Sequence, residues 1–260
     1  MSRVLKIGTV ISMATYVFSA SYNSNVFAKA CIESIAKQSA CIDQHYYIDD
    51  GSIDNTRDML RVCSASAYSN LVIKMNDKRG YKLKNLYDFV QTLSDDDVVC
   101  VLDGDDWLAS PEAIAKVLDV YSDPSVDYVY TNWKYSHNES LGISDHIPNA
   151  RWDPYKGKWI TSALSTFRVR AFNAVPIENY FRWDGKWFTM ACDQAYVLPI
   201  LWHLRERDGD YRAVRFIDEP LYVYQFLQNP SKLRHGQENM ERADDAAKSA
   251  QFIRARGFVS

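Results

Sequence analysis

Short apolar runs recur along the first half of the chain and are separated by polar stretches. The runs are rich in β-branched and aromatic side chains, which is typical of strands buried in a sheet. A longer apolar stretch, residues 5–19, is interpreted as one long strand or two short ones. The other strands predicted in this half are 45–48, 71–75, 97–102 and 128–133.

Stretches with helical periodicity fall between these runs. Phe27, Cys31 and Ile35 recur at four-residue spacing, which predicts a helix with one buried face. The helices predicted in this half are 26–38, 56–66, 83–93 and 111–121, the last of them capped by Ser110. Because strands and helices alternate, we expect an α/β fold with right-handed βαβ units and a mostly parallel central sheet.

The pattern is looser after about residue 134, where polar residues, prolines and glycines indicate loops. Residues 162–171 are strand-like and then helical, and 192–205 have a helical pattern in which Pro199 marks a kink or a break. The remaining predicted elements are strands at 214–217 and 221–226 and a helix after Glu238.

One domain, 1–260, is expected, because no repeat, low-complexity tract or linker divides the chain. Within it, residues 1–107 carry the alternating pattern and are expected to bind the substrate that donates a group. Residues 108–235 are expected to bind an acceptor, and residues 236–260 are expected to form a helical tail.

The composition limits the classes of function. Of the 260 residues, 47% are hydrophobic and 24% are charged, which is typical of a globular protein with a sizeable core. The 30 basic and 33 acidic residues give a net charge of −3, so no broad basic surface is expected. Nucleic acid is therefore not an expected partner.

Cysteine usage and hydropathy indicate the compartment. The five cysteines are widely spaced and form no C-x-x-C pair, which argues against a disulfide framework or a zinc site. No stretch reaches the roughly 18–20 apolar residues of a membrane span. Residues 7–20 follow Arg3 and Lys6 and could form the apolar region of a signal peptide, but we prefer a strand there. A cytoplasmic protein without a transmembrane segment is expected.

Three carboxylates, those of Asp103, Asp105 and Asp106, directly follow the buried run 98–102. In open α/β sheets, ligands bind beyond the carboxyl ends of the strands. Carboxylates this close repel one another unless a cation lies among them, and hard oxygen ligands favour Mg²⁺, Mn²⁺ or Ca²⁺. Gly104 would let the backbone approach a ligand. The sequence predicts a divalent-metal site that carries phosphates, and a solvated acidic turn is the alternative.

Several motifs, taken in order, resemble those of the family 2 glycosyltransferases, which have the GT-A fold and are typically inverting. They are Ser21-Tyr22-Asn23 (a T-Y-N turn), 49–56 (D-D-G-S-x-D-x-T), Asn76 with Gly80 and Asn85 (N-x-G…N), 103–107 (D-x-D-D), Asp193 (an E-D base position) and 216–224 (a late strand pair). The resemblance covers about residues 5–235. The chain departs from the family at Ala20, where Pro or Thr is usual, and at Cys192, where Glu is common.

The resemblance implies a site for a nucleotide-diphosphate sugar whose nucleoside is uridine, guanosine or deoxythymidine. Tyr22 would stack on the base, and Asp50 would contact the base or the ribose. Asp103 or Asp105 would accept hydrogen bonds from ribose hydroxyls. The implied donor-binding set is completed by Ser21, Gly104 and Arg79.

A divalent cation, Mn²⁺ or Mg²⁺, is implied beside the diphosphate, where it would neutralise the charge that grows on the leaving group. The implied ligands are Asp105 and Asp106, with Asp106 preferred as the direct one, and His235 from a late segment. Arg79 and Lys82 lie in a basic loop that would add positive charge. The alternative for that loop is a solvated charge run.

Transfer also needs a base that activates the acceptor hydroxyl on the face opposite the leaving group. Asp193 is the implied base, because an aspartate is ionised at neutral pH. Trp159, Trp183 and Trp187 would form an apolar wall for a carbohydrate acceptor. The alternative functions are a sugar nucleotidyltransferase, a phosphatase that uses a D-x-D motif, and a nucleotide-sugar-binding module without turnover.

Overall fold

The computed structural model describes residues 13–66, 68–225 and 237–260. Its strands are β1 Thr15–Ser21, β2 Gln44–Asp49, β3 Leu71–Met75, β4 Val98–Val101, β5 Trp107–Leu108, β6 Tyr128–Tyr135, β7 Ser165–Arg168 and β8 Val214–Tyr224. Its α-helices are α1 Ala28–Ala36, α2 Thr56–Ser66, α3 Lys82–Val90, α4 Ala113–Tyr121, α5 Val169–Asn173, α6 Cys192–Asp208 and α7 Gln237–Arg256. A 3₁₀ helix, Ile177–Tyr180, lies between α5 and α6.

All eight strands belong to one sheet, in the order β3-β2-β1-β4-β7-β6-β8-β5. Strands β3, β2, β1 and β4 pair in parallel, which confirms the prediction from the alternating pattern. Strand β7 pairs antiparallel with both β4 and β6, and β8 is parallel to β6. Strands β1, β2, β4, β6 and β8 therefore all end at the same edge of the sheet.

The helices cover both faces of this sheet and bury the apolar side chains whose spacing predicted a buried face. Phe27, Cys31 and Ile35 are all buried, as predicted. The described helices in the first half begin and end close to the predicted positions. Of the predicted strand over residues 5–19, the part from Thr15 onward is confirmed in β1, and residues 5–12 lie outside the described residues.

In the second half, one prediction about a proline needs correction, and one of two alternatives about another is excluded. The two strands predicted at 214–217 and 221–226 form one strand, β8. A bulge, seen as a shift of the β8 register with β6 around Asn132, lets the strand continue. That bulge takes up Pro220, which has no N–H to donate to a regular ladder. Pro199 does not end α6, which continues to Asp208 and is buried on all sides over 195–201. Tertiary packing there offsets the missing backbone hydrogen bond.

The C-terminal helix α7 is packed against the body of the protein. Ile253 is buried, and Arg254 donates to the carbonyl oxygens of Tyr155 and Gly157 at 3.0 and 2.8 Å. Arg256 reaches the carbonyl oxygen of Phe181 at 2.8 Å. Among the described helices, none is both long enough and apolar enough to cross a membrane.

Candidate active site

The predicted donor-site residues surround a cleft at the carboxyl edge of the sheet, which we call the strand-end cleft. Its volume is about 210 Å³. The predicted residues that line it are Ser21, Tyr22, Asp50, Arg79, Asp103 and Asp105. Ala20, Ser24, Lys82, Tyr224 and Arg242 complete its walls. The structure thus brings together residues from β1, from the segments that follow β2, β3 and β4, and from α7.

Gly104 does not line the cleft, and its small size is needed for a contact within the protein. A Cβ atom at this position would lie 2.8 Å from both the Cβ of Ser21 and the hydroxyl of Tyr47. The Tyr47 hydroxyl donates to the Gly104 carbonyl oxygen at 2.8 Å. Gly104 therefore lets the acidic loop pack closely on β1 and β2, and its expected approach to a ligand stays a prediction.

Tyr22 and Arg79 contact each other on one wall of the cleft. The Arg79 guanidinium lies 4.0 Å from the centre of the Tyr22 ring and 4.6 Å from that of Tyr81. These are favourable cation–π distances. Arg79 therefore covers one face of the Tyr22 ring. Stacking on Tyr22 requires the opposite face of the ring or a small movement of Arg79.

Asp50 organises the loop that follows β3. Its carboxylate is 3% exposed. Its oxygens accept four hydrogen bonds, from the side chains of Asn76 and Asn85 and from the backbone N–H groups of Gly80 and Tyr81, at 2.7–3.0 Å. Most of its accepting capacity is therefore used inside the protein. Asp50 lines the cleft, but its clearest role is to hold the loop that carries Arg79.

We predict that Asp50→Asn destabilises the protein by about 2–4 kcal/mol, because the new amide N–H₂ would face backbone N–H donors and charge-assisted hydrogen bonds would be lost. Urea unfolding measures this change. Asp77→Asn is the matched control, since Asp77 is an exposed residue of the same loop. Equal stability of the two variants would contradict the assigned role of Asp50.

Lys82, at the start of α3, joins the acidic loop to the predicted base. Its ammonium nitrogen lies 2.5 Å from Asp103 Oδ1 and 2.7 Å from Asp193 Oδ1. Burial alone would lower the pKa of Lys82, but the charges of Asp103 and Asp193 raise it well above its ordinary value. Lys82 is therefore a fixed positive charge between two carboxylates. The side chain of Asp193 is 52% exposed, so a second molecule can reach it.

Asp106 faces the protein interior. It is fully buried, and it accepts a hydrogen bond from the Tyr222 hydroxyl and one from the backbone N–H of Gln225 at 2.7 Å. Burial, followed by the charge of Asp106, raises the pKa of Tyr222 well above its ordinary value, so this hydroxyl stays protonated and donates. Asp106 thus attaches the acidic loop to β8, and it does not line the strand-end cleft.

The three carboxylates of the acidic loop still form one cluster. One oxygen from each of Asp103, Asp105 and Asp106 lies within 4.8 Å of the others. Oxygens bound to one Mg²⁺ or Ca²⁺ at about 2.0–2.6 Å have similar spacings, so this donor set fits a hard divalent cation. Asp103 and Asp105 line the strand-end cleft and Asp106 does not, so the first two can meet a ligand there. His235 lies outside the described residues.

A second cavity, about 280 Å³ in volume, adjoins the cleft and shares Lys82, Asp103 and Tyr224 with it. Aromatic side chains dominate its walls, so we call it the aromatic cavity. It is lined by Lys82, Val101, Asp103, Trp133, Tyr135, Trp159, Thr161, Ser162, Ala163, Ser165, Asp193, Tyr196, Val197, Tyr222 and Tyr224. Asp193 lines this cavity but not the strand-end cleft.

Of the three predicted acceptor tryptophans, only Trp159 lines the aromatic cavity. Trp183 packs against Phe252 and Arg182, and Trp187 packs against Tyr87 and other rings, so both are placed elsewhere. Sequence reasoning missed Trp133, Tyr222 and Arg242. The alternation of aromatic residues along β6 and β8 could have indicated the first two, but nothing local marks Arg242.

Many solved structures are similar to this chain in fold. Staphylococcus aureus TarS aligns at a TM-score of 0.60 and 15% identity over 91% of this chain, which spans 42% of that chain. Glucosyl-3-phosphoglycerate synthase from Mycobacterium tuberculosis was solved with Mn²⁺, UDP and glucosyl-3-phosphoglycerate. It aligns at a TM-score of 0.59 and 14% identity, over 94% of this chain and 80% of that one. A Pyrobaculum calidifontis mannosyltransferase, solved with GDP-Man and Mn²⁺, aligns at a TM-score of 0.53 and 14% identity, over 93% of this chain and 73% of that one.

These likenesses confirm the predicted GT-A fold. TarS residues 1–349 have also been solved with UDP-GlcNAc. No curated protein sequence matches the chain. The model of the family "Glycosyl transferase family 2" matches residues 16–182, which is more than half of the 260 residues. The match includes the acidic loop and all the predicted donor-site residues. This chain therefore belongs to glycosyl transferase family 2.

Proposed function

We propose that the protein transfers a glycosyl group from a nucleotide-diphosphate sugar to a carbohydrate hydroxyl, with inversion at the anomeric carbon. The observation that carries this proposal is the Asp103–Lys82–Asp193 arrangement, in which one ammonium group contacts both carboxylates. It brings the N-terminus of α6 next to the acidic loop after β4. A base and a phosphate-binding site are thereby held side by side across two adjoining cavities.

In the proposed reaction, Asp193 takes the proton of the acceptor hydroxyl as the new bond from oxygen to the anomeric carbon forms. The bond from that carbon to the diphosphate oxygen breaks, and the nucleoside diphosphate leaves with the electron pair. An in-line displacement of this kind needs the base and the leaving group on opposite sides of the sugar. The location of Asp193 in the aromatic cavity and of Asp105 in the strand-end cleft supports these separate roles.

We assign Asp105 as the principal ligand of a divalent cation, Mn²⁺ or Mg²⁺, with Asp103 and Asp106 completing the cluster. When bound, such a cation would neutralise the charge on the diphosphate. This assignment differs from the preference for Asp106 drawn from the sequence, because both oxygens of Asp106 accept hydrogen bonds from β8 and the residue after it. Arg79 and Lys82 also line the cleft and contribute positive charge there, Lys82 in contact with Asp103.

The donor is proposed to be UDP-, GDP- or dTDP-linked, since similar structures hold UDP-GlcNAc and GDP-Man. We place the protein in the cytoplasm, which is a reducing compartment, because Cys31, Cys41, Cys63, Cys100 and Cys192 are free thiols. The strand-end cleft would hold part of the nucleotide and its diphosphate, between Tyr22, Asp50 and Asp105.

A thermal-shift panel of UDP-, GDP- and dTDP-sugars, each with Mn²⁺ or with EDTA, tests this function. A ligand that binds only the native state stabilises it and so raises the melting temperature. At a ligand concentration of a hundred times the Kd, the added stability is about 2.7 kcal/mol. We expect a metal-dependent shift with one nucleotide. A shift without product formation when acceptors are added would instead support a binding module, and no shift with any nucleotide would contradict the proposal.

A further inference from the structure

The strand-end cleft is lined by as many basic residues as acidic ones. The acidic residues are Asp50, Asp103 and Asp105, and the basic residues are Arg79, Lys82 and Arg242. The basic residues come from the loop after β3, from α3 and from α7. A positive charge near an acidic cluster opposes the binding of a further cation there. This lining therefore favours a divalent cation on its own less strongly than the carboxylates of the acidic loop would without it.

Lys82 is in direct contact with the acidic cluster. Its ammonium nitrogen lies 2.5 Å from Asp103 Oδ1. One oxygen of Asp103 lies within 4.8 Å of an oxygen from each of the other two carboxylates in the cluster. The Arg79 guanidinium lies 3.8 Å from Asp50, which is not part of the cluster. A cation held by the cluster would therefore be a close neighbour of the Lys82 ammonium.

Lys82 is held in this position from two sides. It is the first residue of α3, and its ammonium also donates to Asp193 Oδ1, in the first turn of α6, at 2.7 Å. Its side chain is 20% exposed. A lysine is charged at neutral pH, and water and salt screen a mostly buried charge less than an exposed one. The positive charge is therefore a constant part of the surroundings of the acidic cluster.

This charge has opposite effects on two different ligands. It repels a divalent cation that binds alone, and it also neutralises Asp103, one of the carboxylates that would attract that cation. The complex of the cation with a nucleoside diphosphate is different, because the diphosphate carries more negative charge than one divalent ion neutralises. Lys82 lines the cleft and attracts that complex. A residue that only held the site together would favour both ligands.

We propose that Lys82 makes metal binding depend on the nucleotide: it disfavours the divalent cation alone at the acidic cluster and favours the cation together with the diphosphate. This inference rests on the proposed function, because that function supplies both ligands. It adds an order of binding, in which the cation enters with the nucleotide and not before it. By linkage, the factor by which the nucleotide tightens cation binding equals the factor by which the cation tightens nucleotide binding.

Two neutral variants of the full chain test this inference. Lys82→Met removes the charge and keeps the length of the side chain, and Lys82→Gln removes the charge and keeps a hydrogen-bond donor. The side chains of Asp103 and Asp193 are 32% and 52% exposed, so water can solvate them when they lose their partner. We therefore expect both variants to fold, which urea unfolding checks. The matched control is Lys84→Met, because Lys84 lies on the same helix, pairs with Asp88 and lines neither cavity.

Two titrations are made on each protein. The affinity for Mn²⁺ alone is measured by electron paramagnetic resonance of the free ion, and the affinities for UDP, GDP and dTDP are measured by calorimetry at saturating Mn²⁺. We expect both Lys82 variants to bind Mn²⁺ alone about three- to tenfold more tightly than wild type, and the nucleotide about tenfold more weakly. Lys84→Met should change neither affinity. Turnover is not the readout, because Lys82 also contacts Asp193 and its loss would change the proposed base.

The direction of the two changes decides between the outcomes. Weaker binding of both Mn²⁺ and the nucleotide in the folded Lys82 variants would mean that Lys82 only holds the site together, and it would overturn the inference. No gain in Mn²⁺ affinity in either variant would overturn it as well. In both cases the proposed function stands, provided that wild type binds one nucleotide in a Mn²⁺-dependent manner. If wild type binds none of the three nucleotides with Mn²⁺, the proposed function itself fails.

Discussion

Asp193→Asn is expected to reduce sugar transfer by about 10²–10⁴-fold, the usual contribution of a general base. The amide has nearly the same shape as the carboxylate but cannot take a proton from an acceptor hydroxyl at neutral pH. Asp103 remains as a partner for Lys82, so the ammonium stays paired. The side chain is half-exposed at the first turn of α6, and the substitution should therefore leave the fold intact.

The measurement is kcat with saturating donor, together with calorimetric titration of the nucleotide into the same variant. We expect kcat to collapse and the nucleotide Kd to change by less than about threefold, a difference of about 0.6 kcal/mol. Asp119→Asn is the control, because Asp119 is exposed on α4 and does not line either cavity. Turnover near that of wild type would remove Asp193 from the role of base.

Asp105→Asn should abolish the metal-dependent part of nucleotide binding and lower kcat/KM by about 10²–10³-fold, which corresponds to about 3–4 kcal/mol of lost charge stabilisation. An amide is a poor substitute for a carboxylate beside a divalent cation, because it carries no charge. Asp105 lines the strand-end cleft, whereas Asp106 is fully buried and does not line it.

The titration is made with Mn²⁺ and with EDTA, and the control is again Asp119→Asn. Asp106→Asn is the decisive companion variant. If Asp106 were the principal ligand, its variant would lose the Mn²⁺ dependence and Asp105→Asn would keep it. The structure gives the opposite expectation: Asp106→Asn weakens the contacts to Tyr222 and Gln225 and mainly lowers stability.

Lys82 shows why a residue identified in a charged loop can have several different roles. In sequence it is one of several lysines near Arg79, and a solvated face is an equally good interpretation. In the structure it lies between Asp103 and Asp193, which are 90 residues apart in sequence (193 − 103). Its contacts are set by the packing of α3 next to α6. No local pattern contains that packing.

The order of strands and helices in the first half could be predicted because its causes are local. Buried strands need continuous apolar runs, and surface helices need one apolar face, so both are written into short stretches of sequence. The segments β3 and α2 were predicted with the bounds that the structure has. The second half was harder, because the antiparallel strand β7 and the bulged strand β8 depend on partners distant in sequence.

Site residues divide in the same way. The sequence by itself determined which side chains follow the strands, and therefore that Ser21, Asp50, Asp103 and Asp105 meet at one edge of the sheet. It could not determine what each carboxylate contacts. Asp50 holds a loop and Asp106 holds β8, because hydrogen-bond donors from other segments reach them in the folded chain.

The aromatic cavity depends on tertiary structure to the greatest extent. Its walls come from α3, β4, β6, β7, β8, α6 and the segment around Thr161, which meet only in the folded chain. Strand and helix propensities act over a few residues, so the sequence determined the elements and the acidic edge of this protein. Burial and pairing act between distant segments, and they decided which of its acids remain available for chemistry.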